Sequence, residues 1–355
     1  MFRVLVAESK HCNPNRVTVD LHAIAKKARL YDKGMSEMAA AQKQKVPLLV
    51  KTLKMGGAVF HESRCGSTLV SNLLVASNPQ ANRVYSESSP PINALRACAG
   101  QGGCDDAKHI SLLRDVIYLM SRSQSSQEQN VFFKIQSVGT HVLNVWTKAF
   151  PTVPWIFVYR DPVEVIMSHL KHGGDEAKRA ACLRSRQNPP PIVLQMVKDH
   201  SSTKDVGLLS SVEYCAAHLA TLCHAALQEY RRPSNTAAIG SSSSSSKGQF
   251  LNYASLPDSM WESVLPNHFD VENLSEQDIE RMKAIAQVYS KGFQEKANMP
   301  WSQDSDRKQE DATQKMKVAA KTFLEPYFLQ LEATHHENEN DQEESTEVGV
   351  AIEKK

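Results

Sequence analysis

No stretch of this chain is apolar for the roughly twenty consecutive residues that a membrane-crossing helix needs. The apolar run in the opening MFRVLVAESKHC is also too short for the core of a secretory signal. Both absences predict a soluble, cytoplasmic protein, or one of the Golgi lumen if an anchor precedes the segment. An excess of charge is missing too: the formal net charge is +2 over 355 residues. A dedicated nucleic-acid or membrane-surface binder would carry a strong basic surplus, so neither class is expected. No CxxC pair occurs among Cys12, Cys65, Cys98, Cys104, Cys182, Cys215 and Cys223, which excludes zinc ribbons and thioredoxin-type motifs. Buried, reduced thiols of a reducing compartment are the expectation. Cys98 and Cys104 flank the turn AGQGG and could bridge under oxidising conditions, whereas Cys215 and Cys223 lie two turns apart on one helix, too far to pair. There is no internal repeat and no G-x-x-x-x-G-K-[ST] element.

What is present is an alternation of strands and helices. Residues 1–45 read as a polar N-terminal extension with a short helix through HAIAKKARL, and residues 46–332 as one domain. Within it, Gly57–His61 predicts a buried strand, followed by the turn ESRCGST and by LVSNLLVAS, whose leucines recur at helical spacing. VFFKI (131–135) and WIFVYR (155–160) predict two further buried strands, each followed by a helix. In the second of these helices Asp161 stands at the N-cap and Pro162 at the first helical position. Such alternation predicts an α/β fold with a doubly wound parallel sheet and ligands at the carboxyl ends of its strands. Residues 171–208, with Gly173, Gly174 and three prolines, read as a long irregular segment, either an acceptor-side lid or a plain insertion on the far surface. SSVEYCAAHLATLCHAALQEY (210–230) is a core helix. Residues 233–249, with six consecutive serines, predict a disordered insertion, and FLNYASL (250–256) a last strand. Helices are expected over 275–292 and 307–332, and 333–355 as a disordered acidic tail.

Two segments could carry chemistry. In HESRCGSTL (61–69) the turn ends in Gly66, Ser67 and Thr68 at a helix start, which offers backbone N–H groups and two hydroxyls to an anion, with Arg64 at the mouth. An ordinary strand–turn–helix with a capping hydroxyl is the competing reading. In YRDPVEVIMSHL (159–170) Arg160 ends a strand and so faces the ligand crevice, and Ser168 lies two turns into the next helix. Here the competing reading is an ion pair between Arg160 and a nearby acid.

Together these segments resemble the sulfotransferases that use 3′-phosphoadenosine 5′-phosphosulfate. In that family P-[KR]-[SA]-G-[ST]-T binds the 5′-phosphosulfate, and R-[DN]-P-x-[DE]-V-x-x-S binds the 3′-phosphate. ESRCGST matches the first, with Glu62 and Cys65 departing from it, and RDPVEVIMS the second, in the right order and each behind a strand. The resemblance covers about residues 57–330. It implies a three-layer P-loop-like fold with a central parallel sheet flanked by helices. It further implies a co-substrate site made of Arg64, Cys65, Gly66, Ser67, Thr68, Arg160 and Ser168, joined by Lys291 and Gly292 of YSKG. Lys134, at the end of VFFKI, would stand near the leaving sulfonate. Cytosolic members carry a histidine base two residues later, where this chain has Gln136, which takes no proton. Glu87, after the first helix, is the expected replacement base, ahead of His61, His141 and His169. The implied reaction is metal-independent, in-line transfer of a sulfuryl group to an acceptor hydroxyl, with Arg64, Lys134 and Glu87 catalytic. A nucleotide-binding scaffold without activity and a small-molecule kinase are the alternatives. Neither the acceptor nor the oligomeric state is encoded in these motifs.

Overall fold

The computed structural model describes residues 19–42, 50–98, 105–170, 180–202, 205–233, 247–271, 274–288 and 305–335. A two-residue ribbon pairs β1 (Lys51–Thr52) with β4 (Arg122–Ser123). The main sheet has five strands, β2 (Lys54–His61), β3 (Asn82–Ser86), β5 (Asn130–Lys134), β6 (Trp155–Tyr159) and β7 (Gly248–Asn252), in the order β3-β5-β2-β6-β7. All neighbours run parallel. The chain leaves the central β2 for β3 on one side and later places β6 on the other. The carboxyl end of β2 therefore lies at a switch point, where open α/β sheets leave a crevice.

Both faces of this sheet are buried, which is why its strands read as continuous apolar runs. Alternate residues feed separate cores. Ala58, Phe60, Val131, Phe133, Phe157 and Phe250 face one, and Val59, Phe132, Ile156, Val158 and Leu251 face the other. The first face is covered chiefly by α5 (Leu143–Ala149) and the long α8 (Ser211–Tyr230). The second is covered by α2 (Ser67–Ser77), a wide helix over Met260–His268, and α9 (Glu276–Ala286). Ser210 and Glu213 form a reciprocal capping box at the start of α8, and its apolar stretch then carries it through the core.

Several expectations need correction. The N-terminal helix α1 spans Leu21–Gln42, far longer than HAIAKKARL. It is pinned to α4 (Asp106–Ser121) by Asp115, which holds His22 and Arg29, while Asp32 holds Tyr118 and Arg122. In its described part the segment 171–208 is not irregular throughout: it holds one α-helix, α7 (Pro191–His200), and two short 3-10 turns, Ala181–Leu183 and Val206–Leu208. The third proline is the first residue of α7, where a missing N–H costs nothing, and Val193, Met196 and Val197 bury behind it. Gly248 and Gln249 belong to β7, so the serine-rich segment ends before them. β7 in turn stops at Asn252, whose side chain accepts from Ala254 N–H and turns Tyr253–Ser255 into a 3-10 turn. The cysteines are not all reduced: Cys182 and Cys215 form a disulfide, joining residues 181–183 to α8. Cys98 is disulfide-bonded as well. Cys104 lies outside the described residues, as do all of 171–179, residues 234–246 of the serine-rich segment and the tail beyond 335. Among the described residues no helix is long and apolar enough to cross a membrane.

Candidate functional site

β2 delivers the chain to the carboxyl edge of the sheet at His61. The next residues curl sharply: Ser63 and Arg64 have φ of 82° and 59°, and Gly66 has φ of 90°. Left-handed backbone at two residues with side chains is uncommon and is held only where the surroundings over-determine it. Here the turn must end at the start of α2, which carries no side-chain cap. A turn of this hand before an uncapped helix presents backbone N–H groups to an anion. Gly66 is required twice over, because a Cβ there would fall 2.3 Å from Cδ2 of Tyr253.

The turn is anchored from below. Cys65 is fully buried and its thiol donates to the Val158 carbonyl. Burial pushes that thiol up to about 12, so it is a packing residue and no nucleophile. Ser67 is also buried. Glu62, 1% exposed, accepts the Arg160 N–H through Oε2. Burial pushes its carboxyl up to about 8, opposed by that contact and by a hydrogen bond with Cys223. Through the Arg160 N–H Glu62 ties the first turn to the end of β6.

The expected site residues meet at this edge. Arg64 Nε donates to the Ser168 carbonyl in α6 (Pro162–Leu170) at 3.0 Å, joining the two motif segments. Lys134 Nζ stands 3.5 Å from Thr68 Oγ1 and 2.6 Å from Glu87 Oε1. The lysine side chain is 2% exposed and the Glu87 side chain 44%, so the carboxylate forms the open side of the pair. Glu87 itself has φ of 54°. It is held there by its N–H on the Lys134 carbonyl and by Gln136, whose amide donates to the Glu87 carbonyl. Gln136, at the position where the resembled family carries a histidine, thus fixes the Glu87 backbone. His61 Nε2 lies 3.5 Å from the same Glu87 oxygen. His61, then burial acting against it, then Lys134 set the Glu87 carboxyl, which is held well below the usual carboxylate range.

Arg160 ends β6 buried, with Nε donating to Glu164 Oε2 at 2.5 Å and its guanidinium 4.0 Å from the Tyr253 ring centroid. The ion pair weighed as the competing reading is therefore present, one helical turn away. Tyr253 covers both Gly66 and Arg160 and so spans the two motifs. Nothing local in FLNYASL signalled that position.

Two other histidines fall elsewhere. His141 packs edge-on against His218 and shares a hydrogen bond with Thr221 of α8, and burial pushes it down to about 3. His169 belongs with Cys182 and Cys215 to the one potential metal-ligand group among the described residues, and those cysteines are bonded to each other. Lys291 and Gly292 lie outside the described residues.

Compared with protein-family models the chain matches none, and compared with curated proteins it matches none.

Proposed function

We propose that the protein is a sulfotransferase of P-loop-like fold, which moves a sulfuryl group from 3′-phosphoadenosine 5′-phosphosulfate to an acceptor hydroxyl. The observation that carries the reading is the meeting of a half-exposed carboxylate with a buried lysine, Glu87 Oε1 to Lys134 Nζ at 2.6 Å, beside an uncapped helix start. In-line transfer asks little covalent work of a protein and much positioning and positive charge. The turn Ser63–Thr68 with Arg64 suits the 5′-phosphosulfate, and Arg160 with Ser168 suits the 3′-phosphate. Lys134 neutralises charge on the bridging oxygen, and Glu87 takes the acceptor proton. In that role Lys134 turns from Glu87 toward the nucleotide. Loss of the cation raises the proton affinity of the carboxylate at the moment the proton has to be accepted.

The half-exposed Glu87, set against a buried lysine, favours this reading over an inert scaffold. A kinase reading gains nothing from the turn, which lacks the lysine of nucleotide-hydrolysing loops. The disulfide favours an oxidising compartment such as the Golgi lumen over the cytoplasm. The test is transfer from labelled donor to a panel of sugar, sterol, phenol and tyrosine-peptide acceptors, with calorimetry of adenosine 3′,5′-bisphosphate. Transfer to one acceptor class, with metal-free bisphosphate binding tighter than ATP, is expected. Equal affinity for the two nucleotides, or a strict Mg²⁺ requirement, would refute it.

A further inference from the structure

We infer that His61 is a positioning residue, which stands beneath the Glu87 carboxylate with its Nε2 turned toward Oε1 and acts on it electrostatically at 3.5 Å. The inference rests on the reading of Glu87 as the base. Its geometry is local and one-sided. The Ser63 N–H donates to His61 Nδ1 at 3.0 Å, so Nδ1 carries a lone pair and no hydrogen. A neutral ring then carries its single proton on Nε2, the atom 3.5 Å from Glu87 Oε1. The side chain is 4% exposed, beneath a carboxylate that is 44% exposed. In His61 the one basic nitrogen is taken by the turn and the side chain lies beneath Glu87, which favours Glu87 over His61 as the general base. His61 instead couples the left-handed turn at Ser63 to the orientation of Glu87.

Lys134, from β5, contacts the same oxygen of Glu87. His61 from β2 and Lys134 are the two titratable groups that act on this carboxylate. If Lys134 turns toward the nucleotide, His61 is the contact that keeps Glu87 aimed at the acceptor while its charge is no longer matched. Glu87 needs such a support, because its own backbone is in a conformation that side chains disfavour.

Asparagine and glutamine separate the two functions of the ring. His61→Asn keeps an acceptor near Nδ1 for Ser63 but has no donor near Nε2. His61→Gln places a donor near Nε2 and loses the acceptor. We expect His61→Asn to lower kcat by about 10²-fold, the order that a misplaced catalytic group costs, with the donor KM little changed. His61→Gln should recover part of that loss. The acid limb of the pH–rate profile should move upward in His61→Asn, because one of the two contacts that hold the Glu87 carboxyl down is gone. Independently of activity, nitrogen-resolved imidazole spectra of the wild-type protein should show Nε2 protonated and Nδ1 bare across neutral pH, with the Nε2–H signal displaced in Glu87→Gln. A proton on Nδ1, or an Nε2–H indifferent to Glu87→Gln, overturns the inference even if the variants fail to fold. Equal kcat losses in the two His61 variants with an unmoved acid limb overturn it as well. Wild-type protein that transfers no sulfate counts against the proposed function, and the imidazole spectra still decide whether His61 holds Glu87.

Discussion

At Glu87 a single atom separates a positioning role from a chemical one. Glu87→Gln keeps the size of the side chain and its backbone contacts to Lys134 and Gln136, but removes proton acceptance. Turnover is expected to fall by about 10²–10⁴, the span typical of a lost acid–base group, with bisphosphate affinity nearly unchanged. Steady-state rates beside calorimetry check both halves, and near wild-type turnover would remove Glu87 from the mechanism. Arg160 needs a different design. It is buried against Glu164, so Arg160→Ala leaves a buried charge uncompensated, at a cost of about 3–5 kcal/mol. Loss of nucleotide binding in that variant would therefore mix misfolding with a lost contact. Removing both partners, as Arg160→Met with Glu164→Leu, should keep most of the stability and still remove the contact proposed for the 3′-phosphate. Denaturation midpoints and bisphosphate titrations on both variants separate the two effects. Tight bisphosphate binding by a folded double variant would exclude Arg160 as a ligand.

At the scale of elements, Glu62 links the turn after β2 to the end of β6. Its carboxyl is raised from 4.5 to about 8, chiefly by burial. The native state therefore keeps a proton that the unfolded chain releases near 4.5. Its stabilising contribution is complete below that pH and is lost as the pH rises toward about 8. Over that window the slope from this one group approaches about −1.4 kcal/mol per pH unit. Glu62→Gln mimics the protonated side chain, so its urea midpoint should fall less between pH 5 and 8 than that of the wild type. Parallel midpoint curves would mean that Glu62 is already ionised in the folded protein. Because the same carboxyl accepts the Arg160 N–H, its ionisation bears on the crevice as well as on stability.

For the molecule as a whole, the bond between Cys182 and Cys215 closes a loop across 33 residues and fixes 180–183 against the longest core helix. Replacing both cysteines by alanine should lower unfolding free energy by about 2–4 kcal/mol, measured by urea denaturation against oxidised wild type. A dithiol reductant, which opens the bond at Cys98 too, should lower the wild-type midpoint at least as far. Identical midpoints for the oxidised, reduced and alanine proteins would show that the bond contributes nothing and would weaken the case for an oxidising compartment.

The short-range features were legible in the sequence because short-range physics sets them. Continuous apolar runs marked β2, β5 and β6, for strands buried on both faces have no polar side to display. Asp161 capped α6 as read, with its carboxylate accepting from Val163 and Glu164 N–H. Gly66 at the turn, and the spacing that carries Arg64 and Arg160 to one sheet edge, followed from the strand–turn–helix order. Three prolines in a row, Pro189 to Pro191, concealed α7, since Pro191 at a first helical position looks locally like a breaker. What only the tertiary structure decided are contacts between residues far apart in the chain. These are the packing of Tyr253 over Gly66, Lys134 and His61 on one oxygen of Glu87, and the meeting of Cys182 with Cys215. Each depends on the order of strands in the sheet and on how far helices pack across it. Such distances are set by the summed burial of two cores, and no local run of residues encodes them.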